Sequence, residues 1–337
     1  MTIRLARYVV VALALARGAA AQTPSGPPIT VDVTQSAGAS TDEVAAAALQ
    51  VRAFGELGAG IRYLAEGAWA GRSADRHDAF DTAYPYDNTL QVIEAYVERT
   101  FVPGPMLLSV RGGRYRPPFG ISSASDQAYM GFLRAPLVRY ADYFALSSTF
   151  LEHGADVVTG VPQASVEVSL GTPGDVGEAT RPSGLDTVIR AQAYRGPLIV
   201  GASYLRTRPF QPAVFAHGRT EFSGIDVRWM HAGVQARGEW VTGRPFDGTH
   251  TDGGYVDLLV HRPAMGPVTA LLRVERLAYD AVPPFAFTSS RITTGARIRL
   301  LDTLALSVGV LRHTSTEPGE GTRGALDLGL TYSLRRP

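Results

Sequence analysis

The sequence contains no cysteine, which excludes disulfides, thiolate chemistry and cysteine-ligated zinc. It contains no lysine either, and a single asparagine, Asn88. Replacement of lysine by arginine in a GC-rich genome is the simpler cause, and recruitment of arginine for anion binding is the other. Long hydrophobic runs are missing after the first residues. No stretch of about eighteen consecutive apolar residues follows them, so no transmembrane helix is expected. Net charge is close to absent, at +1 over 337 residues. That balance excludes a dedicated nucleic-acid binder, whose footprint is strongly basic.

Catalytic signatures are equally scarce. There is no GxSxG, HExxH, phosphate-binding loop or dinucleotide fingerprint. The histidines are scattered, and His77 beside Asp78 and His153 beside Glu152 fit loop or rim positions without a serine partner. Acidic groups at Asp78–Asp81 and Glu317–Glu320 lack metal-ligand spacing. No catalytic residue, metal site or cofactor is therefore expected.

What is present begins with the leader. Arg4 and Arg7 precede an apolar run from Tyr8 to Ala16, and Ala19–Ala21 precede Gln22. A charged start, a short apolar core and small residues at the end make residues 1–21 a secretory signal peptide, cleaved near Ala21. Three of the 32 basic side chains lie in it (Arg4, Arg7, Arg17), leaving 29 against 31 acidic, a balance of −2. Residues 22–48 read as an N-terminal linker or lead-in: Thr23–Pro28 is rich in proline, and Ile29–Thr34 is a short strand. Ser40–Ala48 forms a turn of helix or a further lead-in.

From Gln50 onward the chain alternates. Val51, Ala53, Gly55 and Leu57 oppose Arg52, Phe54 and Glu56, and the same rhythm recurs to Leu326–Ser333. Alternation over about ten residues is longer than the usual globular strand of five or six. Short turns such as Arg195–Pro197 and Leu301–Thr303 alternate with long polar stretches such as Arg72–Asn88 and Arg206–Thr220. Short turns at one rim, long loops at the other, and one apolar face per strand are the layout of a membrane barrel. A β-sandwich also alternates, but with shorter strands. The expected fold is therefore all-β: a transmembrane antiparallel β-barrel over residues 49–337, of roughly sixteen strands give or take about two. Trp69, Trp229, Trp240, Tyr63 and Tyr332 suit its interfacial girdles.

The polar face carries both signs. Arg52, Arg62, Arg190, Arg228, Arg237, Arg273, Arg297 and Arg299 stand against Glu56, Glu66, Glu167, Asp226, Glu239, Asp257, Glu275 and Asp327, eight of each. In a wide aqueous section such a wall is mutually paired, and salt screens charge beyond about 8 Å. One stretch, Arg111–Tyr143, breaks the rhythm. It holds three prolines, and Arg114, Arg116, Arg134 and Arg139 outnumber Asp126 and Asp142 by two charges. A segment this long and this aromatic reads as an ordered functional loop, here one folded into the lumen as a constriction over residues 112–143. Clustered arginines at a constriction favour anions; anchoring of the loop to acidic wall residues is the alternative use of the same side chains.

Gly113-Arg-Tyr-Arg-Pro-Pro-Phe-Gly120 resembles the Gly-x-aromatic-basic-x-Pro-aromatic-Gly motif of the phosphate-selective porin O and P family. The resemblance is carried by Gly113, Tyr115, Arg116, Pro118, Phe119 and Gly120. It implies a porin of the bacterial outer membrane, often a homotrimer, whose constriction loop starts at this motif and passes small anions. The sequence departs from the family in lacking lysine and in ending Leu334-Arg-Arg-Pro337 without a terminal aromatic. The expectation is a passive channel in the lipid bilayer of the outer membrane for small hydrophilic solutes, with a mild preference for anions. Its pore constriction would be Arg114, Tyr115, Arg116, Phe119, Asp126, Arg134 and Arg139. The alternatives are a non-conducting structural or adhesion barrel, and a barrel enzyme or lipid transporter.

Overall fold

A strand that alternates for ten or more residues has one apolar and one polar face, and a row of such strands is stable in lipid only if its edges meet. The structure, a computed structural model, describes residues 29–42, 44–58, 60–73, 88–121, 133–139, 151–173, 185–207, 220–245, 249–281 and 285–336. The expected signal peptide lies outside them. Among them the first eight strands are β1 (Ile29–Ser40), β2 (Ala45–Gly58), β3 (Ile61–Arg72), β4 (Leu90–Phe101), β5 (Leu107–Tyr115), β6 (Glu152–Val161), β7 (Ala164–Pro173) and β8 (Asp186–Arg195). The remaining eight are β9 (Leu198–Thr207), β10 (Thr220–His231), β11 (Val234–Arg244), β12 (His250–Val260), β13 (Val268–Asp280), β14 (Phe287–Leu301), β15 (Leu304–Ser315) and β16 (Gly321–Arg336). Each pairs antiparallel with its sequence neighbours, and β16 closes on β1, so the sheet is a closed barrel with no free edge.

The barrel begins earlier than expected. Residues 29–48, assigned above to a lead-in, form all of β1 and the start of β2, and Asp32 pairs with Arg335 while Ser40 pairs with Asp327. Closure requires this strand, because without it β16 and β2 would both be open edges. Nor is there a helical turn at Ser40–Ala48: Ser40 and Val44 are joined by a backbone hydrogen bond of 2.8 Å across a tight turn.

The two rims differ as the connection lengths imply. One carries turns such as Pro162–Gln163, Gly196–Pro197, Ala232–Gly233 and Asp302–Thr303. The opposite rim carries the long connections, the longest being 116–151 between β5 and β6.

Register fixes which face points where. On β7 and β8, Ser169 (0 % exposed), Glu167 and Arg190 point inward, while Val166, Leu170 and Ile189 point outward and are about two-fifths exposed or more. The apolar side is the wet-looking one and the charged side is covered, the reverse of a soluble core, as a barrel with a polar lumen in a lipid solvent requires. Trp69 and Trp240 lie on the outer face toward the long-loop rim; Tyr63, Trp229 and Tyr332 lie on it toward the short-turn rim.

Candidate channel lumen

Pairing around the ring places all sixteen wall residues named from the sequence on the lumen face: Arg52 opposite Glu66, Glu56 opposite Arg62, Glu167 opposite Arg190, Asp226 opposite Glu239, Asp257 opposite Arg273, with Glu275, Arg297, Arg299 and Asp327 in the same rows. Several join into ion pairs. Asp257 takes both Arg237 (2.8 Å) and Arg273 (2.5 Å), and Arg190 grips Asp226 with two bonds of 2.9 and 3.0 Å. Sequence alternation missed further members of this belt: Arg111 on Asp156 (2.5 Å) and Glu167 (3.2 Å), Arg291 on Glu275 (2.6 Å), and Glu94. Glu94 was hidden by a register shift opposite Glu66 and Gly67, which breaks the period of two on β4.

The loop leaves β5 at Tyr115 and turns at once into the lumen. Arg116 donates to Glu94 (2.7 Å) and Glu66 (3.3 Å), and the Arg116 N–H also donates to Glu94. By Phe119 the chain has reached the far wall. The ring is 2 % exposed and packs among Val188, Leu205, Phe222 and Val241 of β8 to β11, a burial that contributes about 2–3 kcal/mol. At Gly120 the N–H donates to Ser203 (3.1 Å) and the carbonyl accepts from Arg190. Gly120 has φ +63°, and a Cβ there would overlap the Glu239 carboxylate and the Arg139 guanidinium, so only glycine serves at this docking point.

The second described part of the loop is 133–139. Arg134 holds Asp327 with two bonds of 2.6 and 2.7 Å and also reaches Ser40 (3.0 Å) and Asp42 (3.3 Å). The wall answers in kind: Arg273 donates to the Arg134 carbonyl (2.7 Å), Arg291 to the Ala135 carbonyl, and Glu275 accepts from the Leu137 N–H (2.9 Å). A single 3-10 turn, Leu137–Arg139, packs Leu137 and Val138 with Tyr255, Leu277, Tyr279 and Phe287. Arg139 then pairs with Glu239 at 2.5 Å and caps the Phe119 carbonyl at 3.2 Å. Leu151, just before β6, joins Ala48, Ala68, Ala70 and Ile93 on the β2–β4 wall.

Of the residues expected at the constriction, Arg116, Phe119, Arg134 and Arg139 are thus brought into the lumen on the loop. Tyr115 lies on the wall, its hydroxyl 2.8 Å from Ser169 and its ring beneath the Arg111 guanidinium. Arg114 is on the other side. It sits in β5 opposite Ala95 and His153, in the row of outward Val110, with Nε donating to the Ile93 carbonyl (3.0 Å) and Nη1 3.2 Å from His153. The reason is parity: β5 runs through Tyr115, past the expected start of the loop at 112, and inward Tyr115 forces Arg114 outward. The loop accordingly spans 116–151 and not 112–143. Asp126 lies outside the described residues.

Toward the short-turn rim the lumen face is open. Arg228 is only 3.9 Å from Asp226, which Arg190 already holds, and Arg299 has no carboxylate partner among the described residues. Arg297 and Arg299 line a cavity of about 280 Å³ with Thr269, Thr331 and Ser333. Asp302 is the acid among its lining residues.

No family model matches the chain, and no curated protein matches it. Solved structures do. OprB of Pseudomonas putida aligns over 92% of this chain and 94% of its own, with a TM-score of 0.67 at 9% identity. An anion-selective porin from Comamonas acidovorans aligns over 91% and 99%, with a TM-score of 0.62 at 10% identity. Salmonella typhi OmpF, in complex with daunomycin, aligns over 91% and 97%, with a TM-score of 0.59 at 11% identity. The fold is that of bacterial outer-membrane porins.

Proposed function

We propose that this chain is an outer-membrane porin, a passive diffusion channel for small hydrophilic solutes with a mild preference for anions. One observation carries it: a closed ring of charged, inward side chains is crossed by a loop tied to that ring at Glu94, Ser203, Asp327 and Glu239. A barrel of this strand number has room for an aqueous lumen, and a loop held in it sets the aperture. The long loops face outward from the cell and the short turns the periplasm.

The anion preference rests on different arginines from those the loop suggests. Arg116, Arg134 and Arg139 are each matched by a wall carboxylate, so their field at a passing ion is largely cancelled. Arg228 and Arg299 are not so matched, and they supply the surplus positive charge. The likeness to an anion-selective porin and the Gly113–Gly120 motif of the phosphate-selective porin O and P family point the same way, and that family resemblance also supports a homotrimer.

A second reading, a structural barrel that does not conduct, is favoured by the reach of the loop, which touches β2–β4, β8–β14 and the β16–β1 junction. Planar-bilayer recording separates the two. Discrete conductance steps with a reversal potential on the anion side in a salt gradient are expected; a silent bilayer with correctly folded protein would sink the channel and leave the structural barrel.

A further inference from the structure

The outer wall is not uniform. Between β9 and β13 it is indented by a groove of about 540 Å³, within the size range of ligand sites, about 300–1,000 Å³, and almost wholly apolar. Its cause is local. Gly238 on β11 and Gly254 on β12 are outward positions without side chains, and Val227, Trp240, Val256 and Val274 stand around them. These side chains are 42–60 % exposed on the membrane-facing side.

One residue of the groove does not belong to an apolar band. Arg276 follows Val274 on the same outward row of β13, and Gly254 is its cross-strand partner. It is exposed, and its guanidinium has no carboxylate partner among the described residues. Of the other outward arginines, Arg206 pairs with Glu221 at 3.1 Å and Arg99 stacks on Phe101 at 4.8 Å, while Arg244 on β11 and Arg312 on β15, like Arg276, have no carboxylate partner among the described residues. Level with Arg276 and beyond it the outward positions turn polar, with Ser290 on β14 opposite Arg276 and Asp252 on β12 and Thr242 on β11 past it. Arg276 therefore marks the level where hydrocarbon gives way to headgroups on the long-loop side.

We infer that this groove is a binding site for a phosphate-bearing lipid of the leaflet at the long-loop side, its acyl chain lying over Gly238 and Gly254 and its phosphate held by Arg276. The geometry supplies each half of an amphiphile with its complement: a slot that methylene groups fill, and a forked cation for phosphate oxygens at its upper end. Neither half contributes to the lumen. The inference rests on the membrane reading of the outer wall and is independent of conduction.

The test is native mass spectrometry of the detergent-purified full chain with phosphatidylglycerol or phosphatidylcholine added in equal amounts. One retained phosphatidylglycerol is expected, favoured over phosphatidylcholine, and Arg276→Gln should abolish the preference while leaving conductance and reversal potential unchanged. Val256→Trp, which fills the slot from an exposed position, should lower retention of both lipids. Equal retention of the two lipids by the unaltered protein, or an unchanged preference in Arg276→Gln, overturns the inference. Failure of the protein to float with vesicles would instead overturn the membrane reading itself.

Discussion

Arg134 and Arg299 are the same residue type inside the same barrel, and their surroundings give them opposite uses. In the half of the lumen beneath the loop, arginines are buried and paired: Arg134 is 3 % exposed, Arg273 and Arg291 1 % each, and every one grips a carboxylate while most also tie down a loop carbonyl. In the half toward the short turns, half-buried Arg228 reaches only Asp226, at 3.9 Å, and exposed Arg299 has no carboxylate partner among the described residues. A buried guanidinium is a structural fastener whose charge is spent on its partner. An open one leaves its field to the solvent. Charge counts along a strand cannot tell the two apart, because the distinction depends on which wall the loop covers.

The contrast is broken most directly by Arg134→Ala. It leaves the Asp327 carboxylate buried without its two donors, and removing one member of a buried pair costs about 3–5 kcal/mol. The temperature at which the folded form converts to the unfolded one on a gel should fall sharply; an unchanged transition would mean the loop is not fastened there. Gly120→Ala comes next. Its Cβ would collide with Glu239 and Arg139, so the loop should lift from β8–β11, with cleavage between residues 116 and 151 quickened on the order of tenfold, the factor that about 1.4 kcal/mol represents. Unchanged cleavage would show that the docking point tolerates a side chain. The smallest effect on stability, and the sharpest on selectivity, belongs to the open half. Arg228→Glu with Arg299→Glu should move the reversal potential toward cations, whereas the neutral pair Arg139→Gln with Glu239→Gln should not. A shift from the second pair alone would return selectivity to the loop.

Much of this was legible in the sequence, for a reason that also explains the gaps. Strands such as β7, β13 and β16 show strong contrast between faces because their inner side meets water or a salt bridge and their outer side meets lipid. The contrast fades where inward positions are themselves apolar: β9 turns Ile199 and Leu205 inward and β15 turns Ala305 and Leu311 inward, so both faces look apolar. On β1, small residues such as Ala37, Gly38 and Ala39 blur the far half, and that strand passed for a lead-in. Anchoring to acidic wall residues was one of two readings the sequence left open, but which acid each loop arginine meets was not legible. Asp327, Glu239 and Glu94 carry no local sign of what they bind, since each meets its arginine across a lumen that exists only once the ring has closed.

Arg134 holds Asp327 on the last strand and Ser40 at the end of the first, residues separated from it by 193 and 94 positions. A side chain from mid-chain therefore bolts the one joint in the wall that chain order leaves to the end. Long-range contacts of this kind are slow to form because the entropy of closing the intervening chain is lost before any contact is gained. The consequence concerns assembly: the final zipping of β1 to β16 and the settling of the loop become a single cooperative event, so a half-closed intermediate would be one whose interior is still unfurnished.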